Sequence, residues 1–144
     1  MSAADIALRR AFTSPTPLFV RVSRDGFRID DEPMTEIVGR VRNTRLLRKL
    51  FMDGALVCDS PDGEIARNGT QCAVCAHPRC RPMLRVTLVR DSALYVLDLG
   101  ATSVRNFFAL QDQAAACGAD LEDWTLRATV LPRDTWGEVT FERH

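Results

Sequence analysis

The sequence predicts a mainly β domain, a barrel or tightly rolled sheet that carries one helix and an inserted metal-binding loop. Three observations support this. Short segments alternate apolar and polar side chains at the period of strands, one segment repeats apolar residues at helical spacing, and four of the five cysteines fall within residues 58–80.

In chain order, residues 1–17 end in Ser14-Pro15-Thr16-Pro17 and read as an arm, and residues 18–144 as a single domain. Strand patterns follow at Leu18 to Val22, Phe27 to Ile29 and Ile37 to Val41. Residues 43–52 (NTRLLRKLFM) are basic and apolar together and suit a short helix or a strand edge. Residues 55–82 hold four cysteines and the turn formers Pro61-Asp62-Gly63 and Asn68-Gly69. Met83, Arg85, Thr87 and Val89 then alternate with Leu84, Val86 and Leu88, and Leu94 to Leu99 supplies another strand. A helix is expected after Thr102 or Ser103 as cap, with Val104, Phe107, Phe108, Leu110 and Ala114 on its apolar face and Gly118 at its end. Trp124 to Leu131 and Trp136 to Phe141 are the last strands, joined at Pro132-Arg133-Asp134.

At 144 residues, 46% apolar and 26% charged, the chain has the size and composition of one globular domain. No apolar run approaches the ~18 residues of a membrane-spanning helix. The N-terminal MSAADIALRR lacks the long apolar core of a signal peptide, so the expected compartment is the cytoplasm, without membrane attachment. Cysteines clustered in a reducing compartment are expected to bind metal rather than to pair.

The net charge is zero, yet it is unevenly spread. Residues 1–35 carry five basic and five acidic side chains, residues 36–90 ten against five, and residues 91–144 four against nine. A basic middle beside an acidic end suggests a binding face and its opposite. Lys49 is the only lysine among nineteen basic residues. Arginine suits phosphate and stacks on bases, although a codon bias toward arginine explains the composition equally well.

The spacing Cys58-x13-Cys72-x2-Cys75-x4-Cys80 points to a tetrahedral Zn2+ site. A C-x2-C pair sets two thiolates on one tight turn, and a second pair completes four ligands. Four protein ligands leave no open position for water or substrate, so the expected zinc is structural. His77 can take the place of Cys58 in this set. A redox role for Cys72 and Cys75 is the other alternative, and Pro78 and Pro82 argue against the helix that such a pair precedes. Cys117 stands apart and reads as a small buried hydrophobe.

Catalytic constellations are missing from the sequence. The two histidines are His77, inside the cysteine loop, and His144, the last residue, so no Ser-His-Asp arrangement can be assembled. No Gly-rich phosphate loop occurs. Asp112, Asp120, Glu122 and Asp123 read as a solvated acidic face. The chain is expected not to be an enzyme.

Basic residues flank the cysteines on both sides. Candidate nucleic-acid contacts are Arg42, Arg45, Arg48, Lys49, Arg67 and Arg85, with Arg79 and Arg81 equally able to neutralise thiolates. Single strands also need aromatic faces. Among Phe51, Tyr95, Phe107, Phe108, Trp124 and Trp136, the best placed is Phe51, beside Arg48 and Lys49, while Phe107 and Phe108 suit a core.

The stretch Cys58-Asp59-Ser60-Pro61-Asp62-Gly63, then Cys72-Ala73-Val74-Cys75 and Cys80, a strand, and Ala101-Thr102-Ser103 opening a helix resembles phage and mobile-element proteins of the single-stranded DNA-binding type. The likeness spans about residues 27–142, including Gly137-Glu138-Val139-Thr140-Phe141. It implies an OB-like barrel of short antiparallel strands interrupted by a zinc loop at 58–80, with Cys58, Cys72, Cys75 and Cys80 as ligands. It also implies binding of single-stranded DNA in replication or recombination, alongside the proteins of those processes. The competing expectation is a zinc-stabilised adaptor that binds protein and not nucleic acid.

Overall fold

The computed structural model describes residues 2–5, 16–75 and 77–144; the expected arm lies largely outside them. Nine strands form one sheet: β1 (Pro17–Ser23), β2 (Gly26–Ile29), β3 (Glu32–Met34), β4 (Glu36–Met52), β5 (Ala55–Ser60), β6 (Cys80–Arg90), β7 (Ala93–Leu99), β8 (Thr125–Pro132) and β9 (Gly137–Arg143). With them are the single turn α1 (Cys72–Cys75), the long α2 (Ala101–Ala116) and a 3-10 turn at Leu121–Asp123. The strand order is β3-β2-β1-β7-β6-β4-β8-β9, with β5 paired to β4. The mainly β class with one main helix is as expected.

Three details differ from expectation. β1 runs parallel to β7, where antiparallel pairing throughout was expected. β4 is not short. It runs 17 residues, its first half pairing with β8, its second with β5, and β6 lying along most of its length. Residues 43–52 are thus strand, joined to 37–41 through a bulge in which Arg42 is the extra residue. Finally, the sheet is open, because no pairing among the described residues joins β3 to β9.

The sheet nevertheless curls. Arg24 Nε donates to the Arg133 carbonyl at 2.6 Å, which ties the β1–β2 turn to the β8–β9 turn. Gly137 sits so close to the Ser23 carbonyl that any Cβ there would collide with it. The core fills the inner face. Phe27, Ile37, Val86, Leu88, Leu97, Leu99, Leu126, Ala128 and Val139 are buried there, and α2 adds Phe107, Leu110 and Ala114. Phe107 meets Phe141 edge-on at 5.4 Å, within the range of a favourable aromatic pair. By contrast, Phe108 is exposed, because the next helical position turns it away from the sheet.

The start of α2 corrects the capping expectation. Its N-cap is Gly100, with no side-chain cap, and the Ser103 hydroxyl instead accepts the Val139 N–H at 2.9 Å. The helix ends as expected, with Gly118 at φ +72°, a left-handed conformation that glycine adopts without strain. Cys117 is exposed at that end and not buried.

Candidate nucleic-acid interface and cysteine site

Directly paired strand residues share a face, and alternate residues keep it. Arg45 pairs with Arg85, Arg85 with Asp98, and Lys49 with both Arg81 and Asp59. Two positions along, Thr87 pairs with Val96 and Val96 with Phe19; Arg21, next on that face of β1, pairs with Arg28. These residues occupy the outer face, away from the core. Arg67, from the loop after β5, reaches Asp59 at 2.7 Å. The region therefore gathers seven cations (Arg21, Arg28, Arg45, Lys49, Arg67, Arg81 and Arg85) and the acids Asp59 and Asp98, an excess of five positive charges.

The centre of this face is a bonded cluster. Asp98 accepts from Lys49 Nζ at 2.6 Å and from Arg85 Nε and Nη2 at 2.7 and 3.0 Å. Burial pushes the Asp98 carboxyl up, but the Arg85 and Lys49 hydrogen bonds and charges outweigh it and hold it below the usual range. The Arg85 guanidinium also stacks 5.4 Å from the centre of the Phe19 ring, which remains 60% exposed. Arg45 makes no ion pair among the described residues.

Of the expected nucleic-acid residues, Arg45, Lys49, Phe51, Arg67 and Arg85 lie on this side. Arg42 sits exposed at the bulge. Arg48 points the other way, donating through Nε to the Gly63 carbonyl at 3.1 Å in the cysteine region. Phe19, Arg21 and Arg28 join the outer face from beyond the expected set. The signal was present, since Phe19 and Arg21 alternate with Val20 and Val22 in a strand whose other face is buried. Among the other aromatics, Phe107 and Trp124 are core, Tyr95 packs against it, and Trp136 is exposed at the far β8–β9 turn.

Behind the outer face, Cys58, Cys72, Cys75 and Cys80 line one cavity of about 160 Å³, together with Arg48, His77 and Ala66. The sequence brings them there from three elements. Cys58 on β5 and Cys80 on β6 both register against Leu50 of β4, from its two sides. Cys72 and Cys75 sit on α1, one turn apart. The connecting loop is held by side chains: Asp62 Oδ1 accepts the N–H groups of Glu64 and Ile65, and the buried Ser60 hydroxyl accepts that of Gly63 and lies 2.7 Å from the Ile65 carbonyl. Those bonds, from Ile65 first and Glu64 next, lower the Asp62 carboxyl below its usual range. Burial raises the Cys80 thiol, and Cys72, Cys58 and Cys75 push the same way against Arg48. Among the described residues, no three His, Cys, Asp or Glu side chains are arranged to grip a metal as they stand. The four thiols share a cavity wall without closing on one centre. His77 Nδ1 accepts the Arg79 N–H at 3.1 Å, which leaves only Nε2 to face a ligand.

The chain matches no family model, no curated protein and no solved structure. No helix among the described residues is long and apolar enough to cross a membrane.

Proposed function

We propose that this chain binds single-stranded DNA across the outer face of β2-β1-β7-β6-β4, with a structural zinc on Cys58, Cys72, Cys75 and Cys80 fixing the loop behind it. One observation carries the reading: seven cations against two acids share a side with two exposed aromatic rings, Phe19 and Phe51. Cations in a row suit phosphates, and aromatic faces suit unpaired bases, which duplex DNA does not offer. The curled sheet, with the β1–β2 and β8–β9 turns in contact, supports an OB-like barrel. Work in replication or recombination for a phage or mobile element follows from the sequence resemblance.

The donor set fits zinc. Four soft thiols around one cavity, two of them on a single turn, are the donor type of a closed structural site, and the loop would have to draw them onto one centre to bind the metal. When bound, the metal supplies charge that holds the thiols as thiolates, and Arg48 at the cavity wall offsets part of the resulting negative charge. A zinc-stabilised protein adaptor is the second reading. It is favoured by Met52, Leu56 and Val57, which stand exposed with Phe51 at the tip of the β4–β5 hairpin.

Titration with labelled oligonucleotides at two salt concentrations, alongside elemental analysis, tests the proposal. The expected result is one zinc per chain and single-strand binding that is stronger than duplex binding and weakens with salt. No binding at low salt would pass the question to the adaptor reading, and a metal content far below one equivalent would sink the zinc assignment.

A further inference from the structure

A concavity of about 780 Å³ lies between the end of β4 and the segment 78–83. Its lining includes Lys49, Phe51, Arg79, Arg81, Pro82 and Met83. That volume is within the range of sites that enclose small organic groups. Three of its lining residues are cationic and none is acidic. The two carboxylates beside Lys49 are already engaged, Asp98 by Lys49 and Arg85 and Asp59 by Arg67. Arg79 and Arg81 are exposed and make no ion pair among the described residues, so the groove presents two arginines with no carboxylate to answer them. It ends at Gly100 and Ala101, where α2 begins without an acidic residue in its first turn.

Phe51 reaches this groove through the alternation of β4, which sets it on the side of Lys49, and β5 accommodates it with a bulge. The β4–β5 register shifts between Leu50 and Phe51, with Val57 as the extra residue of β5. Leu50 is buried on the cysteine side, and Phe51, the next residue, takes the opposite side and leaves 48% of its surface exposed. The exposed ring offers a face for a flat group, Pro82 and Met83 add apolar surface to the same lining, and the arginines bring fork-shaped donors to it.

We propose that this groove is a nucleotide subsite, in which one base of a single strand stacks on Phe51 and the adjoining backbone phosphates lie on Arg79 and Arg81. The inference rests on the single-strand reading and deepens it. It moves Arg79 and Arg81 from neutralising thiolates to contacting ligand, and it makes Phe51 an anchor distinct from Phe19.

The test uses the full zinc-loaded chain and an oligothymidylate carrying photoreactive 5-iodouracil. Irradiation should crosslink the base to Phe51, read by mass spectrometry of the peptides. Phe51→Ala should weaken binding roughly five- to hundredfold, the scale of one stacked base, with the salt dependence unchanged. Phe51→Trp should retain both affinity and crosslink, which separates stacking from damage to the hairpin. Arg79→Glu with Arg81→Glu should weaken binding and flatten the salt dependence. Trp136→Ala, at the opposite end of the sheet, should change nothing. If oligonucleotides bind as tightly to Phe51→Ala as to the parent and crosslinks fall elsewhere, the subsite is overturned while single-strand binding stands. If no oligonucleotide binds the parent chain, both fall together.

Discussion

Asp98 occupies an unusual place, a half-buried carboxylate shared by Lys49 and Arg85 in the middle of a cationic face. It neutralises two charges that would otherwise repel at close range, and it also subtracts from the attraction of the face for a polyanion. Two effects of Asp98→Asn should therefore have opposite signs. Stability should fall by about 1–3 kcal/mol, since the partners of a part-buried charged hydrogen bond are left unsatisfied. Affinity for single-stranded DNA at low salt should rise a few-fold. The pH dependence follows from the lowered carboxyl. The contribution of Asp98 to stability is fully present above its unfolded value of 3.8 and is lost as pH falls through its lower folded value. Denaturant melts between neutral pH and pH 3 should show that loss in the parent and less of it in Asp98→Asn; identical profiles would remove Asp98 as a stabilising group. Residue-scale roles such as this one were partly legible in the sequence. Arg85 and Lys49 stand out in the sequence for their charge, but their shared carboxylate lies 13 residues from Arg85 and 49 from Lys49, and only strand register brings it to them.

At the scale of elements, strong alternation predicted well. β1, β2, β6, β7, β8 and β9 fall where the pattern placed them, as does α2. Failures occurred where tertiary context overrides local pattern. β3 is a three-residue edge containing Pro33, too short and too polar to signal itself. β5 lacks a clean alternation because Leu56 and Val57 are both exposed around the bulge. The second half of β4 reads ambiguously because adjacent apolar residues serve two sides, Leu47 buried on one and Leu50 on the cysteine side of the other. The cysteine spacing was legible, and the shared cavity agrees with it, but the loop that frames the cavity is ordered by Asp62 and Ser60, which no periodicity could reveal. The main core cluster draws no buried residue from 42–85, so the cysteine segment is a satellite of the fold and not its foundation. Chelation is accordingly expected to act locally. Hydrogen exchange after metal removal should rise across 55–80, including β5 and α1, while amides at Leu97, Leu126 and Ala128 stay protected. Exchange unchanged at 55–80 would show that no metal organises the loop, and global loss of protection would show that the core depends on it.

For the whole molecule, the arrangement of charge matters more than its zero sum. The basic middle segment supplies Arg45, Lys49, Arg67, Arg81 and Arg85, and the fold adds Arg21 and Arg28 by placing β1 and β2 beyond β7 on the same side. Much of the acidic C-terminal segment lies elsewhere: Asp112, Asp120, Glu122 and Asp123 are exposed at the end of α2 and the turn after it, and Glu142 pairs with Arg127 on β8. A face so polarised should bind a polyanion despite overall neutrality, and the binding should be dominated by release of counterions. Each phosphate neutralised on a single strand contributes about −0.7 to the slope of log affinity against log salt. Contact with three to five phosphates therefore predicts a slope between about −2 and −3.5. Arg21→Glu with Arg45→Glu should weaken binding by a similar factor on every sequence and make the slope shallower by roughly 1.4, two phosphates' worth. Arg48→Glu is the matched control, because Arg48 is turned toward Gly63 and the cysteines; it should disturb the loop while leaving the slope near that of the parent. A flattened slope for Arg48→Glu and an unchanged one for the Arg21 and Arg45 pair would put the binding surface on the wrong side of the sheet.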